Sequence, residues 1–422
     1  MASLKGIRVL EMAQIMAGPT CGLLLADLGA EVIKIEKTPG GDDTRNFLPP
    51  DVNGVSAAYL MMNRNKKGIA LNLKDKKGIE IFKTMIKNSD VVLENFRKGT
   101  LEKLGIGYDT MSKINPKIIL CEISGYGRTG PYANKGGFDL VAQGMSGLMS
   151  ITGEDKNKPP MKVGAPLTDI TAGLLAASGI LAALIHRDKT GEGQKVDTSL
   201  YEAGIVHTYW QSAIAGATGV SPGPLGSAHP LTAPYQAFKT KDKWITIGAS
   251  NQNTWLMLLK AINRQDLNED EKFSTNSSRK ENLNELVEIL NNEFIKKPSQ
   301  EWLKIFDENG LPCGPINSIT DMFKDPQTIE REMIIEVNNK KAGPSKAVGM
   351  PIKFSKSKTE KSKGAPDLGE HTREIMQNFG YKDEELSLIH ISEPTRLLSI
   401  AYAVFVLKKK RGGGGGGGGG GG

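Results

Sequence analysis

The 422-residue chain is poor in the residues that build metal sites and disulfides, with three cysteines and five histidines. Cys21, Cys121 and Cys313 are odd in number and far apart. They predict a reducing, cytoplasmic location rather than a disulfide framework or a zinc motif. The histidines are equally scattered, so no metal site is predicted. Aromatic residues make up 6% of the chain and form no cluster with basic residues, so no nucleic-acid partner is predicted.

The sequence also lacks the short motifs of several common enzyme classes. The turn after the first strand pattern, AQIMAGPTCG, has no G-x-G-x-x-G, so an NAD cofactor is not predicted. The patterns of the phosphate loop, the zinc proteases, the serine hydrolases and the EF-hand are missing as well. At the N-terminus, MASLKGIRVLEMA has no signal-peptide pattern and leads directly into a strand.

The C-terminal segment 386–422 is interpreted as foreign to the protein. It begins with LSLIHISEPTR, which looks like a translated sequencing-library adapter, and it ends in a run of glycine. A flexible linker is the alternative for the glycine run, but it does not explain the adapter-like stretch. The segment carries five basic residues and one acidic residue, hence +4 of the formal +7, and the remaining +3 is ordinary. Its apolar stretch is shorter than the ~20 residues of a membrane span, so no membrane partner is predicted.

Residues 1–200 alternate short apolar runs with helical patterns, which predicts parallel β–α–β units and an α/β fold. The strand patterns are rich in Val, Ile and Leu, as buried parallel strands tend to be. Beyond them, TGVSPGPLGSAHPLTAP is rich in Gly, Pro and Ser and indicates a linker or a functional loop. YQAFKTKDKWITIGAS then predicts a hairpin in a second, smaller domain.

Seven segments between Lys5 and Gly380 together resemble one enzyme family. In order, they are VLEMAQIMAGPTCGLLLADLGAEVIKIEKTPGGDDTR, NRNKKGIALNLK, VVLENFRKGTLEKLGIGY, GFDLVAQGMSGLM, GAPLTDITAGLLAASGILAAL, GLPCGPINS and LGEHTREI. The chain resembles the class III CoA-transferases, the superfamily of formyl-CoA transferase and carnitine-CoA transferase, over nearly all of its length before residue 386. NRNKKGIALNLK, AHPLTAPYQAFKTKD and GPINS are most similar to the succinyl-CoA:glutarate CoA-transferase branch.

The resemblance implies a Rossmann-like large domain with a parallel sheet, built from both ends of the chain, and a smaller inserted α/β domain. The large, CoA-binding domain is then expected over 1–200 and 331–385, with a linker over 201–225 and the small domain over 226–330. Members of this family form interlocked homodimers, so a homodimer is expected.

Asp169 is the predicted catalytic nucleophile. By position it begins a long apolar helix, where an aspartate is ordinarily a structural N-cap. The resemblance assigns it the role of the family's nucleophile, because the family's aspartate matches Asp169 in GAPLTDITAG. The two roles are compatible, since a helix N-terminus stabilises a carboxylate. Asp139 matches a second family acid, with capping of the helix FDLVAQGMSGLM as its alternative.

The resemblance also assigns residues to the binding of CoA. They are Met16, Ala17, Lys37, Leu71, Lys74, Asn95, Phe96, Arg97, Lys103, Gly137 and Phe138. For the basic residues among them, a solvated surface position is the alternative. Glycine-rich loops around Gly136, Gly137 and Gly226 are expected to be lids or places of close backbone approach, with plain surface turns as the equal alternative. Phe138 occupies the position at which related racemases have a proton-transferring histidine.

The acceptor acid is predicted from two further features. Oxalate-using members carry a run of glycines where this chain has LGSAHPLT, so Ser227 and His229 are assigned to the substrate site and a larger dicarboxylate is favoured. Arg45 is a candidate to bind the distal carboxylate through a bidentate contact, with a structural role as the alternative.

Three hypotheses follow. The leading one is a CoA-transferase acting on an acyl-CoA such as succinyl-CoA and a small carboxylic acid such as glutarate, through aspartyl anhydride and aspartyl-CoA intermediates. It needs no cofactor beyond the CoA thioesters and no metal. The alternatives are an α-methylacyl-CoA racemase, which Phe138 disfavours, and a non-catalytic nucleotide-binding α/β protein.

Overall fold

The computed structural model describes residues 1–357 and 362–382. The adapter-like segment 386–422 lies outside the described residues. The chain divides into two compact units. The first contains Met1–Asp139, Thr168–Ala203 and the described residues from Glu332 onward, and the second contains Leu140–Leu167 and Gly204–Arg331.

Strands and helices are numbered along the described chain. The strands are β1 Arg8–Glu11, β2 Glu31–Glu36, β3 Asp51–Val52, β4 Val55–Ser56, β5 Lys67–Ala70, β6 Val91–Glu94, β7 Ile119–Ser124, β8 Lys195–Ser199, β9 Tyr235–Lys239, β10 Trp244–Gly248, β11 Cys313–Pro315, β12 Ile334–Asn339 and β13 Gly343–Val348. The helices are α1 Ala17–Asp27, α2 Ala57–Met62, α3 Lys76–Lys87, α4 Thr100–Lys103, α5 Tyr108–Ile114, α6 Asp139–Met145, α7 Leu167–Thr190, α8 Leu200–Val206, α9 Tyr209–Thr218, α10 Gln252–Ile262, α11 Asp266–Glu269, α12 Asn276–Glu281, α13 Leu283–Phe294, α14 Ser299–Glu308, α15 Ile319–Met322, α16 Pro326–Glu330 and α17 Thr372–Asn378.

A six-stranded sheet organises the first unit. Its order is β5-β2-β1-β6-β7-β8, and every neighbouring pair is parallel. Numbered within the sheet, this order is 3-2-1-4-5-6, the arrangement of Rossmann folds. The central strands are apolar because crossover helices cover both faces of such a sheet, and all four residues of β6 are buried. The predicted α/β fold with a large parallel sheet is confirmed.

The core of the first unit joins the sheet to helices from both ends of the chain. Helix α3 buries Ile81, Phe82, Met85 and Ile86 at helical spacing on one face. From the other end of the chain, α17 adds Ile375 and Met376 to the same apolar cluster. Helix α17 therefore packs with the N-terminal part of the fold.

The second unit has a separate core. Strand β10 pairs antiparallel with both β9 and β11, so YQAFKTKDKWITIGAS forms the predicted hairpin. The helices after it bury Trp255, Phe294, Trp302 and Phe306 against this sheet.

The structure differs from the predicted domain boundaries in two places. Residues 140–167, expected in the large domain, belong to the second unit. Residues 201–225, expected as a linker, contain most of α8 and all of α9. The two helices are separate because the chain turns at His207 and Thr208, where the Thr208 hydroxyl donates to the carbonyl of Ile205 at 2.8 Å. Such local hydrogen bonds compete with a continuous helix.

Candidate active site

The carboxyl ends of β1 and β6 form the switch point of the large sheet. These strands are neighbours, and the strand order reverses between them, which opens a ligand-binding crevice in folds of this kind. The loops that follow them are joined by reciprocal hydrogen bonds. Gln14 N–H donates to Asn95 Oδ1 at 2.9 Å, and Asn95 Nδ2 donates to Gln14 O at 2.8 Å. The structure thus brings the loops of the predicted residues Met16, Ala17, Asn95, Phe96 and Arg97 to one edge.

The loop between β1 and α1 is strained. Ile15 has φ of 69°, which is costly for a β-branched residue and common at functional sites. Buried charges hold the loop in place, since Lys34 Nζ donates to Ala13 O at 3.0 Å and Asp42 Oδ1 accepts from Ile15 N–H at 3.3 Å. Lys34 and Asp42 are themselves an ion pair at 2.7 Å.

Asp169 lies in the first turn of α7 rather than at its N-cap, because the helix begins two residues earlier at Leu167. Its half-buried carboxylate accepts a hydrogen bond from the backbone N–H of Ala17, the first residue of α1. The two helices can approach so closely because residue 173 is a glycine: a Cβ there would lie 2.5 Å from Ala17 O. The carboxylate therefore sits at the N-termini of two helices, both of which favour an anion.

The surroundings of Asp169 make its carboxylate hard to ionise. Burial, and then the nearby charge of Asp139, raise the pKa of Asp169 to about 6, although the hydrogen bond from Ala17 opposes the shift. At neutral pH the group is ionised and only partly solvated. A carboxylate in this state is a better nucleophile than a fully hydrated one.

The Asp139 carboxylate contacts the start of α7. Asp139 is the first residue of α6, and its Oδ1 accepts from the backbone N–H of Thr168 at 3.0 Å and from the Thr168 hydroxyl at 2.8 Å. It thus caps the start of α7, one residue before Asp169. The contact places two carboxylates near each other, which accounts for the electrostatic part of the raised pKa.

The glycines before Asp139 allow a close approach of two loops. A Cβ on Gly137 would lie 2.5 Å from the Cα of Gly125, which follows β7. A Cβ on the neighbouring Gly136 would lie 3.6 Å from a guanidinium nitrogen of Arg97. The adjacent Phe138 has an exposed fraction of 73%. The structure therefore places the loop 125–137 beside the switch point.

The remaining residues assigned to CoA follow β2, β5 and β6, whose carboxyl ends lie at the same edge of the parallel sheet. Lys37 comes directly after β2 and pairs with Asp43 at 2.6 Å, with both side chains exposed. Leu71 directly follows β5 and is buried, whereas Lys74 is exposed a few residues later. Lys103 is exposed at the end of α4, after β6.

Arg45 is held in a structural ion pair. Its Nε and Nη2 donate to the two carboxylate oxygens of the buried Glu36, each at 2.7 Å, and its guanidinium lies over the ring of Tyr59. This bidentate contact occupies the group that was expected to bind a substrate carboxylate. The contact gives Arg45 the structural role that was its alternative, and binding of the distal carboxylate stays a prediction.

Ser227 and His229 belong to the second unit, where their side chains fold the segment around them. Ser227 Oγ accepts from Ala237 N–H at 3.0 Å. Nδ1 of His229 accepts from the N–H groups of Leu231 and Thr232 at 3.1 and 3.2 Å. These contacts give both residues a structural role, and their substrate role stays a prediction.

Sequence reasoning missed three charged residues near the switch point. Glu94 and Glu122 lie on β6 and β7, and Arg128 follows β7; all three are buried. The sequence did carry one signal for them, which is Glu94 at the end of the apolar strand β6. A buried carboxylate needs a positively charged or hydrogen-bonding partner.

Among the residues that the structure describes, no group of three or more His, Cys, Asp or Glu side chains is arranged to hold a metal ion.

Helix α7 is long and apolar enough to cross a bilayer by length and composition. It packs within the first unit, where a Cβ on Gly179 would lie 2.6 Å from the side chain of Val196 on β8, and a core helix of an α/β protein passes the same test.

The strand order defines a Rossmann-like α/β protein, with its switch point between β1 and β6. The model of CoA-transferase family III matches residues 4–372, and the chain belongs to this family and is a CoA-transferase. It is 40% identical to succinyl-CoA:glutarate CoA-transferase of Mus musculus over 393 residues, covering 91% of this chain and 88% of the relative. It is 38% identical to succinate–glutarate CoA-transferase of Agrobacterium fabrum over 379 residues, covering 88% and 94%.

A solved structure is similar over nearly the same range. The CAIB/BAIF family protein from Brucella suis is 37% identical and superposes with a TM-score of 0.80, covering 89% of this chain and 99% of that protein.

Proposed function

We propose that the protein transfers CoA from succinyl-CoA, or a similar acyl-CoA, to a dicarboxylate such as glutarate, and that Asp169 carries the acyl group covalently. The observation that carries this proposal is the position of Asp169. Its carboxylate is partly desolvated and accepts from the first N–H of α1, the helix that follows the switch-point loop. A thioester bound in the crevice would present its carbonyl beside this helix N-terminus.

The reaction proceeds through four acyl transfers. An oxygen of Asp169 attacks the donor thioester carbonyl, the C–S bond breaks and CoA leaves as a thiolate, which gives a mixed anhydride. The thiolate attacks the aspartyl carbonyl and releases the donor acid as a carboxylate, which leaves an aspartyl-CoA thioester. The acceptor carboxylate attacks this thioester and forms a second anhydride, and the thiolate then attacks the acceptor carbonyl and regenerates Asp169. Each intermediate contains one activated acyl bond, an anhydride or a thioester, so the energy of the donor thioester is kept and ATP is not consumed.

The side chains around Asp169 have distinct roles in this scheme. The N–H of Ala17 orients the attacking carboxylate and stabilises it when each anhydride or thioester breaks down. Asp139 holds Thr168 at the start of α7 and, through its charge, keeps the pKa of Asp169 raised. We propose that Asp139 also contacts the acyl group.

The acceptor is proposed from the relatives and from one loop. The names of the mouse and Agrobacterium relatives give glutarate as a substrate, and LGSAHPLT replaces the glycine run of oxalate-using members. The racemase alternative is disfavoured because Phe138 has no proton to exchange. We further propose, from the family resemblance, an interlocked homodimer in the cytoplasm, and light scattering of the purified protein would measure the oligomer.

Intact-mass analysis after incubation with succinyl-CoA tests the proposal. Wild type is expected to gain a CoA-sized covalent adduct, and Asp169→Ala is expected to gain none. Asp109→Ala is the matched control, because Asp109 is an exposed aspartate in the first turn of another helix, α5. An adduct that survives in Asp169→Ala would contradict the mechanism. CoA exchange across a panel of free acids identifies the acceptor, and activity confined to oxalate would contradict the dicarboxylate preference.

A further inference from the structure

Two side chains hold the backbone of Phe96 directly after β6. Glu94 Oε2 accepts from Phe96 N–H at 2.7 Å, and Arg128 Nη1 donates to Phe96 O at 3.0 Å. The preceding residue, Asn95, is fixed to Gln14 by the reciprocal bonds across the switch point. Both polar backbone groups of Phe96 are therefore fixed by side chains at the edge that faces the crevice.

Arg128 connects the ends of three adjacent strands. Its side chain is 8% exposed and forms an ion pair with Glu94, the last residue of β6. Its Nε lies 3.0 Å from Oε1 of Glu122 on β7, and its backbone N–H donates to Asp197 on β8 at 2.8 Å. Glu122 in turn pairs with Lys195 on β8 at 2.8 Å.

This buried arrangement is costly to maintain. Burial raises the pKa of Glu94 to about 7, even though the charge of Arg128 opposes the shift. An apolar pair at the same place would avoid this desolvation, since buried ion pairs are often no more stable than well-packed apolar residues. What the ion pair provides, and apolar residues cannot, is a donor for Phe96 O and an acceptor for Phe96 N–H.

We propose that Arg128 is a positioning residue for the nucleotide half of CoA. Together with Glu94 it fixes the Phe96 backbone and so orients the side chains of Asn95, Phe96 and Arg97 in the crevice. The inference rests on the proposed function, which places CoA at the switch point.

The acyl half of the substrate depends on other contacts. Asp169 is held by Ala17, and the start of its helix is held by Asp139 through Thr168. Arg128 has no direct contact with these groups among the hydrogen bonds and ion pairs of the described chain. Loss of the Arg128 guanidinium should therefore weaken binding of the nucleotide half of CoA and leave acyl transfer at Asp169 unchanged.

The variant Arg128→Lys tests this separation. Lysine keeps the positive charge beside the two glutamates but lacks the planar fork that also reaches Phe96 O. Two donors are compared, succinyl-CoA and succinyl-pantetheine, the second of which lacks the nucleotide. We expect kcat/KM to fall about tenfold for succinyl-CoA, as for the loss of one hydrogen bond to a charged group, and to stay unchanged for succinyl-pantetheine. The Kd of free CoA, measured by calorimetry, should rise by the same factor.

Arg187→Lys is the matched control. Arg187 is similarly buried, with an 11% exposed side chain, and pairs with Asp90 at 2.6 Å at the opposite end of β6. Arg187→Lys should change kcat/KM for neither succinyl-CoA nor succinyl-pantetheine. If Arg128→Lys does not fold, Glu94→Gln replaces it, because glutamine still accepts from Phe96 N–H but releases the charge that fixes Arg128. The direction of the expected change is the same.

The outcomes separate the inference from the proposed function. Equal losses for both donors, or no loss for either, would overturn the positioning role while the transferase assignment stands. A wild-type enzyme that binds no CoA and does not prefer succinyl-CoA to succinyl-pantetheine would overturn both, because the nucleotide would then not occupy the crevice.

Discussion

Replacing Asp169 by asparagine keeps the shape of the side chain and one oxygen that can accept the hydrogen bond from Ala17 N–H. It removes the negative charge and exchanges the second oxygen for an NH2 group. In the wild type, that charge is partly buried and lies near a second carboxylate, Asp139. Ionisation of Asp169 therefore costs folding free energy, and the variant should be more stable than the wild type where the carboxylate is ionised.

The size of the effect follows from the pKa of Asp169, which is raised from 3.8 to about 6, by burial first and by Asp139 second. Each pKa unit corresponds to ~1.4 kcal/mol, which sets an upper limit of about 3 kcal/mol. Solvent screening of a half-buried group reduces this to about 2 kcal/mol.

The sign of the pH dependence is fixed by the same shift. Because the folded pKa lies above the unfolded one, the folded state binds the proton more tightly, and stability falls as pH rises between the two values. The cost is absent below about pH 4 and complete above about pH 6. Asp169→Asn should therefore gain stability at neutral pH, and the gain should vanish in acid.

Thermal unfolding of both proteins at about pH 7.5 and about pH 4, at one protein concentration, measures this difference. For a unit of this size, about 2 kcal/mol corresponds to a rise in Tm of about 4 °C. Asp109→Asn, an exposed control in the first turn of α5, should show no change at either pH. A gain of equal size at both pH values, or no gain at neutral pH, would refute the reasoning.

Three further results are expected. The kcat/KM for succinyl-CoA should fall as pH drops below about 6, because protonated Asp169 cannot attack; a profile flat to about pH 4.5 would exclude this nucleophile. Gly173→Ala should lose about 2 kcal/mol of stability and most activity, because its Cβ meets Ala17 O at 2.5 Å, whereas Gly216→Ala, with open space around its Cβ, should be tolerated. Arg45→Lys should lower Tm without changing KM for the acceptor acid, since the guanidinium is already ion-paired; a raised KM would restore its substrate role.

The local elements of the fold could be predicted because each has its own sequence pattern. Short apolar runs alternating with helical patterns over residues 1–200 predicted the β–α–β units, and YQAFKTKDKWITIGAS predicted the hairpin of β9 and β10. The strand order could not be read in this way, because which strands pair is decided by packing between segments far apart in the chain. Residues 201–225 were expected as a linker but contain most of α8 and all of α9.

The candidate site was predictable where residues match a family motif and unpredictable where their partners are distant. Asp169 was predicted as the nucleophile from GAPLTDITAG, but its contact with Ala17 depends on how two helices pack. The sequence left a substrate role and a structural role open for Arg45, because its partner Glu36 lies on strand β2 and the ion pair between them forms only in the fold. Arg128 was missed because its role depends on a partner that is distant in the sequence, the backbone carbonyl of Phe96.

The covalent role of Asp169 is tested most directly by borohydride trapping during turnover. Borohydride reduces an activated aspartyl carbonyl, whether anhydride or thioester, to the alcohol, and leaves a free carboxylate unchanged. Peptide mapping after incubation with succinyl-CoA and borohydride should find homoserine at position 169, and only when succinyl-CoA is present. Homoserine at another aspartate, or an intact Asp169 in an enzyme that is turning over, would contradict the account.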